Sequence, residues 1–312
     1  MTVVTVTLNP CIDKTFSVER VVPDRKLAAE NVREYPGGGG INVARVITRL
    51  GGDARALWSC GGDTGRRLAR LLDAENVPHE PIPIEGEVRE NLIATDASSG
   101  EQYRFGMPGP LLTDGERAHW VECLQQLPSS ARYVVFSGSL PGGMPAEWYG
   151  DLLRAVPSGT RVVVDTKRDA LRRALQAGVY LIKPNARELG EATGRELSDD
   201  EQIERAAREI VERGGAEVVI VSLGRGGALL VTADGIERFS APSVPVRSKV
   251  GAGDSLVGGL VTALDQGRRL EEAASLGVAA GAAAFMTEGT ELCRREDTER
   301  LARSVRRQEL SR

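Results

Sequence analysis

A glycine-rich turn at residues 251–255, Gly-Ala-Gly-Asp-Ser, carries a carboxylate immediately before an apolar helical pattern that runs from Leu256 to Leu264. Glycine allows backbone N–H groups to approach a ligand closely, and at a helix N-terminus these groups and the helix dipole stabilise an anion. Asp254 is therefore a candidate general base for an attacking hydroxyl. The candidate anion-binding residues beside it are Gly251, Ala252 and Gly253. Because Asp is also a favoured N-cap residue, a capping role for Asp254 is the alternative.

This turn differs from both familiar nucleotide-binding glycine loops. A dinucleotide fingerprint requires a third glycine where this chain has Leu256, and a Walker A sequence, GxxxxGK[ST], occurs nowhere in the chain. A nicotinamide-dependent dehydrogenase is therefore disfavoured.

A second glycine run, Gly37–Gly40, opens a helical pattern that continues through Val46 and Leu50. Four consecutive glycines cost conformational entropy, and a simple turn needs only one or two. Close approach of a ligand to the main chain would compensate for that cost. Asn42 would then hydrogen-bond a substrate hydroxyl, and a flexible loop is the alternative.

Short apolar runs alternate with helical patterns in the second half of the chain, as Asp199–Arg213 illustrates. Such runs are typical of parallel strands buried on both faces, and the alternation predicts a three-layer α/β fold with helices on both sides of the sheet. The predicted strands are Tyr133–Ser137, Arg161–Asp165, Tyr180–Lys183 and Glu217–Ser222. Each ends in polar residues, and open α/β sheets bind ligands beyond the carboxyl ends of their strands. We therefore expect the site at this edge.

Asn185 and Glu188 follow the third of these strands and would share one helix face. That pair suits Mg²⁺, which keeps several waters and takes few protein ligands. A helix-capping arrangement of the same two residues is the alternative.

Residues 14–109 alternate polar and apolar positions, which predicts antiparallel strands that form a flap over the site. Its predicted strands are Thr15–Val22, Lys26–Tyr35, Asn91–Ala97 and Gln102–Phe105, with a hairpin turn at 98–100. Arg89 and Arg104 flank that turn, and guanidinium groups recognise phosphate; a solvated surface charge is the alternative for each. Asp13 follows the first apolar strand and suits paired sugar hydroxyls, or else it forms a turn.

Composition excludes several classes of protein. The 312 residues are 41% apolar and 27% charged, and 40 basic against 44 acidic side chains give a net charge of −4. The ordinary apolar content excludes wholesale disorder. Because the charges are well mixed, we expect no nucleic-acid partner.

The cysteines, Cys11, Cys60, Cys123 and Cys293, lie far apart without a CxxC pair, and only His79 and His119 accompany them. Buried, reduced thiols are therefore expected rather than zinc or disulfides. Neither a signal peptide nor a membrane span is recognisable, so we expect a soluble, cytoplasmic protein without a membrane partner.

Three segments resemble the PfkB (ribokinase-like) family of carbohydrate kinases: PGGGGINVARVITRLGG at 36–52, KPNARE at 183–188 and VGAGDSLVGG at 250–259. Both family signatures are present in order, and the resemblance extends over essentially the whole chain. It implies a three-layer ribokinase-like α/β fold with a mostly parallel sheet. It also implies a single kinase domain, 1–312, whose small β-sheet lid comprises about 14–36 and 88–108.

The resemblance implies a role for each matching residue. Asp254 would be the general base, with Gly251, Ala252 and Gly253 as the anion hole. The sugar phosphate would contact Asp13, Lys26, Gly38, Gly39, Asn42, Arg89, Arg104 and Ser139. Nucleotide and cofactor contacts would be Lys183, Asn185, Ser222, Gly224, Ser248 and Val250, and Glu188 would organise Mg²⁺.

Within the family, the branch of phosphofructokinases and tagatose-6-phosphate kinases is the most similar, as TLNPCID at 7–13, SGSLPGG at 137–143 and SLGRGGAL at 222–229 indicate. The full glycine run and the segment 98–109 resemble the minor type of 6-phosphofructokinase, which implies ATP-dependent phosphorylation of fructose 6-phosphate. Asn9-Pro10 is more typical of 1-phosphofructokinases and tagatose-6-phosphate kinases, which stay as alternatives, and a kinase of an unphosphorylated sugar or nucleoside is more distant.

The segment 165–167, Asp-Thr-Lys, departs from the Asp-Ser-Ser usual in this branch, so contacts around Lys167 are open. The resemblance further implies ATP, Mg²⁺ and K⁺ as cofactors and a homodimer formed through the lid.

Overall fold

A computed structural model describes residues 2–311. Strands and helices alternate through most of this range, as predicted from the sequence. The strands are β1 (Val3–Thr7), β2 (Cys11–Val18), β3 (Glu30–Gly37), β4 (Ala54–Cys60), β5 (His79–Pro83), β6 (Arg89–Asp96), β7 (Gln102–Phe105), β8 (Tyr133–Ser137), β9 (Arg161–Asp165), β10 (Val179–Ile182), β11 (Ala216–Ser222), β12 (Ala228–Thr232), β13 (Gly235–Ser240) and β14 (Arg306–Ser311). The helices are α1 (Gly39–Arg49), α2 (Gly62–Ala74), α3 (Asp114–Gln125), α4 (Ala146–Ala155), α5 (Arg168–Ala177), α6 (Ala186–Thr193), α7 (Asp200–Glu212), α8 (Ala252–Asp265), α9 (Leu270–Ala284) and α10 (Arg295–Ala302).

The large sheet has ten strands in the order β14-β13-β12-β11-β10-β9-β8-β1-β4-β5. From β11 to β5 all neighbouring strands are parallel, and β12 to β14 add an antiparallel edge. The chain leaves β1 in one direction towards β4 and later returns to its other side with β8. Such a reversal opens a crevice at the carboxyl ends of the strands, and the expected mostly parallel sheet is confirmed.

Helices cover both faces of this sheet because its central strands are apolar throughout. Successive residues of a strand point to opposite faces, and in β8 Val134 and Phe136 join one apolar core while Tyr133 and Val135 join the other. All five residues of β8 are buried. Two cores on either side of one sheet give the expected three layers.

The helices α8 and α9 pack closely because glycines lie at their contact. A Cβ added at Gly277 would lie 2.8 Å from the carbonyl oxygen of Leu256 and 3.1 Å from the Cβ of Leu260. A Cβ at Gly259 would lie 2.9 Å from the Cβ of Ala280. This contact fixes the position of α8, whose first turn contains Asp254.

The second, small sheet has the order β3-β2-β6-β7. β2 pairs antiparallel with β3 but parallel with β6, so the prediction of purely antiparallel strands is wrong here. The parallel pairing arises because β2 and β6 both leave the large sheet in the same direction. Its strands cover 11–18, 30–37, 89–96 and 102–105, so β2 and β3 lie about four residues from the predicted segments 15–22 and 26–35, measured at their starts.

Ion pairs fasten the small sheet to α2. Lys14 lies 3.2 Å from Glu34 and 3.0 Å from Glu90, and Arg67 of α2 contacts the same two carboxylates. Each of these side chains is about a third exposed. The charges therefore alternate across the base of the sheet and hold its three strands to the α/β body.

The four cysteines are free thiols, but only Cys11 and Cys293 are buried. Cys60 and Cys123 are partly exposed, so the expectation that all four are buried is wrong for these two. Burial raises the pKa of the Cys11 thiol well above its usual range, and the neighbouring Asp13 carboxylate adds to the effect. Among residues 2–311, no helix combines the length and the apolar content that crossing a membrane requires.

Gly277→Ala should lower the free energy of unfolding by about 1–3 kcal/mol, because the added methyl group overpacks the contact between α8 and α9. Denaturation in urea measures this change. Gly115→Ala in α3 is the matched control, since no heavy atom lies within 4 Å of a Cβ added there. A Gly277→Ala protein as stable as the wild type would show that the two helices are not held by this close contact.

Candidate active site

A cavity of about 630 Å³ opens where β8, β9, β10 and β11 end and α8 begins. This is the edge of the sheet at which the sequence predicted the site. Its lining residues are Ser137, Gly138, Ser139, Asp165, Thr166, Lys167, Lys183, Asn185, Glu188, Ser222, Gly224, Arg225, Lys249, Ala252, Gly253, Asp254 and Phe285.

The glycine turn adopts the conformation that its sequence suggests. Gly251 is the N-cap residue of α8 and has a left-handed φ of 75°, which favours glycine. The first hydrogen bond of the helix runs from the N–H of Ser255 to the carbonyl of Gly251, so the preceding N–H groups are not used within the helix. Asp254 lies in the first turn and is not the N-cap, which makes the capping alternative wrong.

Asp254 accepts a hydrogen bond of 2.8 Å from Nδ2 of Asn42 on α1. Burial raises the pKa of Asp254 to about 7, and the nearby Asp165 carboxylate adds to the effect, whereas the Asn42 hydrogen bond and the Lys183 charge oppose it. Asp254 still keeps partial access to the cavity. A carboxylate with these properties is an effective base near neutral pH, because its proton affinity matches the medium.

Lys183 and Asp165 form an ion pair near Asp254, with 3.1 Å between Nζ and Oδ1. Both side chains are largely buried, at 6% and 14% exposure. Burial alone would lower the pKa of Lys183, but Asp165 and the more distant Glu188 and Asp254 outweigh it and raise that pKa. Lys183 therefore stays charged within the cavity. Its charge opposes the rise in the pKa of both the Asp165 and the Asp254 carboxyl.

The glycine run is ordered rather than a flexible loop, because Gly37 ends β3 and Gly39 begins α1. Gly38 has a positive φ of 109°. A Cβ at Gly39 would lie 2.3 Å from Oγ of Ser137 and 2.6 Å from the backbone nitrogen of Gly138. Gly39 is thus required at least in part because any side chain there would clash with the end of β8.

A chain of polar contacts leads from the small sheet to the end of β8. Asn91 donates a hydrogen bond of 2.9 Å to Oδ1 of Asp13, and Arg89 donates one of 3.3 Å to the carbonyl oxygen of Asn9. Asn9 in turn donates through Nδ2 to Oγ of Ser139 at 3.2 Å. The structure therefore brings Asp13, Arg89 and Ser139 into one cluster of polar residues near Asp254, which we name the polar pocket.

Buried polar atoms in this polar pocket lack hydrogen-bond partners among the described residues. They are Oδ1 of Asn9, Nε of Arg89 and Oγ of Ser137. Buried polar groups are nearly always satisfied in native proteins, so each such group needs an explanation. A polar ligand bound between them would supply the missing partners.

Two predicted substrate contacts are not in this pocket. Lys26 lies in the exposed segment between β2 and β3. Arg104 is exposed on β7, where its guanidinium group donates to Oε1 of Gln102 at 3.3 Å. Their assignment to the substrate stays a prediction.

Asn185 and Glu188 form the capping box of α6. Oδ1 of Asn185 accepts from the N–H of Glu188 at 2.9 Å, and Oε2 of Glu188 accepts from the N–H of Asn185 at 3.0 Å. Both residues also line the cavity, so the capping interpretation and the cofactor interpretation are compatible. In the described chain no three His, Cys, Asp or Glu side chains are grouped to hold a metal ion by themselves.

The other predicted cofactor residues surround the glycine turn. Ser222 and Gly224 line the cavity at the end of β11. Ser248 is buried behind the turn, where its hydroxyl donates to the carbonyl of Gly289 at 2.9 Å and accepts from the N–H of Val250 at 3.1 Å. Ser248 and Val250 do not line the cavity.

Three cations that the sequence motifs did not assign also line the cavity: Lys167, Arg225 and Lys249. All are exposed, and none has an ion partner among residues 2–311. Lys167 lies two residues after the end of β9 at Asp165, and the sequence had indicated that the site lies at such strand ends. Arg225 and Lys249 lie in loops whose direction only the fold defines.

Residues 6–297 match the family described as pfkB family carbohydrate kinase. The chain is 42% identical over 299 residues to the ATP-dependent 6-phosphofructokinase isozyme 2 of Escherichia coli (strain K12), which covers 95% of this chain and 96% of that protein. It is 34% identical to a 1-phosphofructokinase of Bacillus subtilis (strain 168), over 92% of this chain and 94% of that protein.

Its fold is similar to solved structures of phosphofructokinase-2 from Escherichia coli, one in complex with substrates and products and one with potassium. Each match has a TM-score of 0.93 and 41% sequence identity and covers 97% of this chain. It covers 99% of the chain in the complex with substrates and products and 98% of the chain in the potassium complex. The chain therefore belongs to the pfkB family of carbohydrate kinases. The family and the fold that the sequence motifs implied are confirmed.

Asp254→Asn should stabilise the protein, and more at pH 8 than at pH 5. The folded-state pKa of about 7 exceeds the ordinary value of 3.8, so the folded state gains a proton that the unfolded state has lost. The contribution of Asp254 to the free energy of unfolding is therefore most favourable below pH 4, where the carboxyl is protonated in both states. It becomes less favourable as the pH rises, until above pH 7 the buried carboxyl must ionise in the folded state. We expect the Asp254→Asn protein to gain about 1–3 kcal/mol more at pH 8 than at pH 5.

Urea denaturation at both pH values measures this difference. Asp63→Asn on α2 is the control, because that carboxylate is 92% exposed and its removal should change stability little at either pH. An equal gain for Asp254→Asn at both pH values would contradict the buried, proton-retaining carboxylate.

Proposed function

We propose that this protein transfers the γ-phosphoryl group of ATP to the 1-hydroxyl of fructose 6-phosphate and forms fructose 1,6-bisphosphate. One observation carries this proposal: Asp254, on the glycine-lined start of α8, lies between a cavity rich in cations and a polar pocket with unpartnered buried atoms. A phosphoryl donor and a polyhydroxylated acceptor fit the two sides. The similarity to 6-phosphofructokinase isozyme 2 supports the same assignment.

In this proposal Asp254 takes the proton of the acceptor hydroxyl. The N–H groups of the turn, at Gly251, Ala252 and Gly253, hold the negative charge on the transferring phosphoryl group. The protein forms no covalent intermediate, and most of the rate comes from positioning and electrostatic stabilisation.

The nucleotide would lie along the large cavity. Lys183, Lys167, Arg225 and Lys249 supply positive charge for the triphosphate, and Asn185 supplies polar contacts. A narrow extension of about 80 Å³ adjoins the cavity between β11 and α9. Its walls are formed largely by small residues, among them Ser222, Gly224, Ala252 and Gly281, which leave room for a planar base.

We assign Mg²⁺ to the side of the cavity formed by Glu188. Its Oε2 serves the capping box, while Oε1 has no hydrogen-bond partner in the described residues and remains for a hydrated cation. An oxygen ligand of this kind suits Mg²⁺. When bound, Mg²⁺ would neutralise charge on the phosphate groups.

We further propose K⁺ as an activating ion behind the glycine turn, beside Ser248 and Val250. The hydroxyl of Thr290 in the adjacent loop is buried without a partner in the described chain, and hydroxyl and carbonyl oxygens suit such a cation. The solved potassium complex of the Escherichia coli relative supports this assignment.

The acceptor would occupy the polar pocket. Asp13 and Asn42 would bind its hydroxyls, with the backbone of Gly38 and Gly39 alongside. Arg89 and Ser139 would bind the far end of the sugar and its phosphate, and closure of the small sheet would bring Arg104 and Lys26 to that phosphate. In this proposal the chain is a single kinase domain, 1–312, with a lid at about 14–36 and 88–108 that excludes water.

A coupled assay of ADP release tests the acceptor. We expect the highest kcat/KM with fructose 6-phosphate, compared with fructose 1-phosphate, tagatose 6-phosphate and fructose. Asp254→Asn should lower kcat by about 10²–10⁴-fold, the usual effect of losing a general base. A preference for fructose 1-phosphate or tagatose 6-phosphate would select the alternative kinases of this branch, and near-wild-type turnover of Asp254→Asn would refute the base assignment.

We also propose that the protein forms a homodimer through the small sheet. Part of one face of this sheet, beside the Lys14 ion pairs, is apolar: Phe105 pairs with Leu92, and Tyr103 pairs with Ala94, which pairs with Phe16. Phe105 is 51% exposed and Tyr103 is 38% exposed. An exposed aromatic face of this kind is typical of protein–protein contacts, and a second copy would cover it.

Phe105→Glu should convert the dimer to a monomer, because a carboxylate on this face would lose its hydration on association. Sedimentation velocity at several protein concentrations measures the change. Leu111→Glu is the control, since Leu111 is 67% exposed but lies outside the small sheet. A Phe105→Glu protein that sediments like the wild type would place any dimer contact elsewhere.

A further inference from the structure

A buried arginine lies behind the catalytic side chains and touches none of the proposed ligands. Arg45 on α1 is 0% exposed, and it forms an ion pair with Glu75 at the end of α2. The two contacts are 2.9 Å from Nε to Oε2 and 2.6 Å from Nη2 to Oε1. This two-point geometry fixes the plane of the guanidinium group. The third nitrogen, Nη1, is thereby directed towards the site.

Nη1 of Arg45 contacts three oxygens from different parts of the chain. It donates to the carbonyl of Pro36 at 2.9 Å, to Oδ1 of Asn42 at 3.0 Å and to the carbonyl of Thr290 at 3.3 Å. Pro36 belongs to β3 of the small sheet, and Thr290 belongs to the loop after α9. One cation therefore joins the small sheet, α1, α2 and this loop.

The contact with Asn42 determines which end of its amide faces the base. A guanidinium group has donors only, so it can bind the oxygen of Asn42 but not its NH₂ group. With Oδ1 directed to Arg45, Nδ2 points to Asp254, as the 2.8 Å contact shows. The flipped amide would place its oxygen against the Asp254 carboxylate, where two acceptors repel each other.

We propose that Arg45, held by Glu75, is a positioning residue for the general base: it fixes the amide orientation in which Asn42 presents its N–H to Asp254. The inference rests on the proposed role of Asp254. The other groups that face Asp254 are Asp165 at the end of β9, Lys183 after β10, and Asp13 and Cys11 on β2. None of these contacts Arg45 directly, so they stay in place when Arg45 is changed.

The test variant is Arg45→Met combined with Glu75→Leu, which removes the pair without leaving a fully buried charge alone, because Arg49, the other partner of Glu75, is 28% exposed. We expect kcat with fructose 6-phosphate to fall about 10–100-fold, while KM for ATP changes less than about twofold because Arg45 is remote from the nucleotide cavity. The acid limb of the pH profile should move to higher pH by about half a unit, since the ionised base loses a donor.

Arg49→Met is the matched control. Arg49 binds the same Glu75 carboxylate at 2.9 Å and also the carbonyl of Glu291, but it does not contact Asn42. It should reduce stability without moving the pH limb. A shift in Arg49→Met as large as in the Arg45 variant would mean that Arg45 is only structural, and this would overturn the proposal.

The pair of changes is then repeated in an Asn42→Ala background. If Arg45 acts through Asn42, the Arg45 and Glu75 changes should lower kcat less than about twofold there. A further loss of about 10-fold in that background would overturn the proposal. If the double variant does not fold, Arg45→Lys serves instead, because one ammonium cannot span Glu75, Pro36 and Asn42 together; an unshifted pH limb in that variant would equally refute it.

Titration of the Asp254 carboxyl by ¹³C NMR separates this inference from the proposed function. A pKa that rises in the Arg45 variant and not in Arg49→Met supports the positioning role even if no sugar phosphate is phosphorylated. An unchanged pKa refutes the role even in a fully active kinase.

Discussion

The hydrogen bond between Asn42 and Asp254 joins the two halves of the active site. Asn42 lies on α1, which begins with the glycine run, and Asp254 lies on α8, which begins with the second glycine turn. Each helix start forms one wall of the site, so in the proposed reaction their separation determines whether a hydroxyl on one side can reach a phosphoryl group on the other. The two helices pack directly, with Gly258 of α8 against Val43 and Val46 of α1, and the Asn42 amide favours the ionised form of the Asp254 carboxyl.

This contact is needed because the site already contains other acids. Asp165 and Asp13 both raise the proton affinity of Asp254, and burial does so most strongly. The Lys183 charge and the Asn42 hydrogen bond each lower the pKa of Asp254 and so oppose part of this effect. The net effect is a pKa of Asp254 raised to about 7, which suits the proposed proton transfer from an alcohol. The energetic cost of keeping it ionised is met by the rest of the fold.

The fold supplies that support through close contacts at several glycines. Gly39 lets α1 approach the end of β8, and Gly277 lets α9 approach α8. The small sheet is tied to α2 through Lys14 and Arg67 and to α1 through the Pro36 carbonyl. Three buried polar atoms of the polar pocket, on Asn9, Arg89 and Ser137, remain without hydrogen-bond partners among the described residues. Rigid helices and an incompletely satisfied polar pocket together fit a site that is completed by its substrates.

Several features were predictable because they depend on neighbours in the sequence. Continuous apolar runs such as Tyr133–Ser137 identify buried parallel strands, and the glycine turn before Asp254 identifies a helix start that can bind an anion. The capping box of Asn185 and Glu188 is likewise a local pattern, and both residues line the cavity at the strand end where the sequence predicted the site. The strands of the small sheet were found, and β7 was predicted with its exact bounds, but the starts of the other three strands and one pairing direction were not.

By itself the sequence determined the fold class, the family and the candidate base, because backbone preferences, apolar periodicity and glycine geometry act over a few residues. Only the tertiary structure decided which side chains meet. Arg45 is a charged residue within a largely apolar helical pattern, and its contacts with Glu75 and Thr290 span 30 and 245 residues of chain. Local patterns carry no signal for such pairs, since packing of distant segments brings them together.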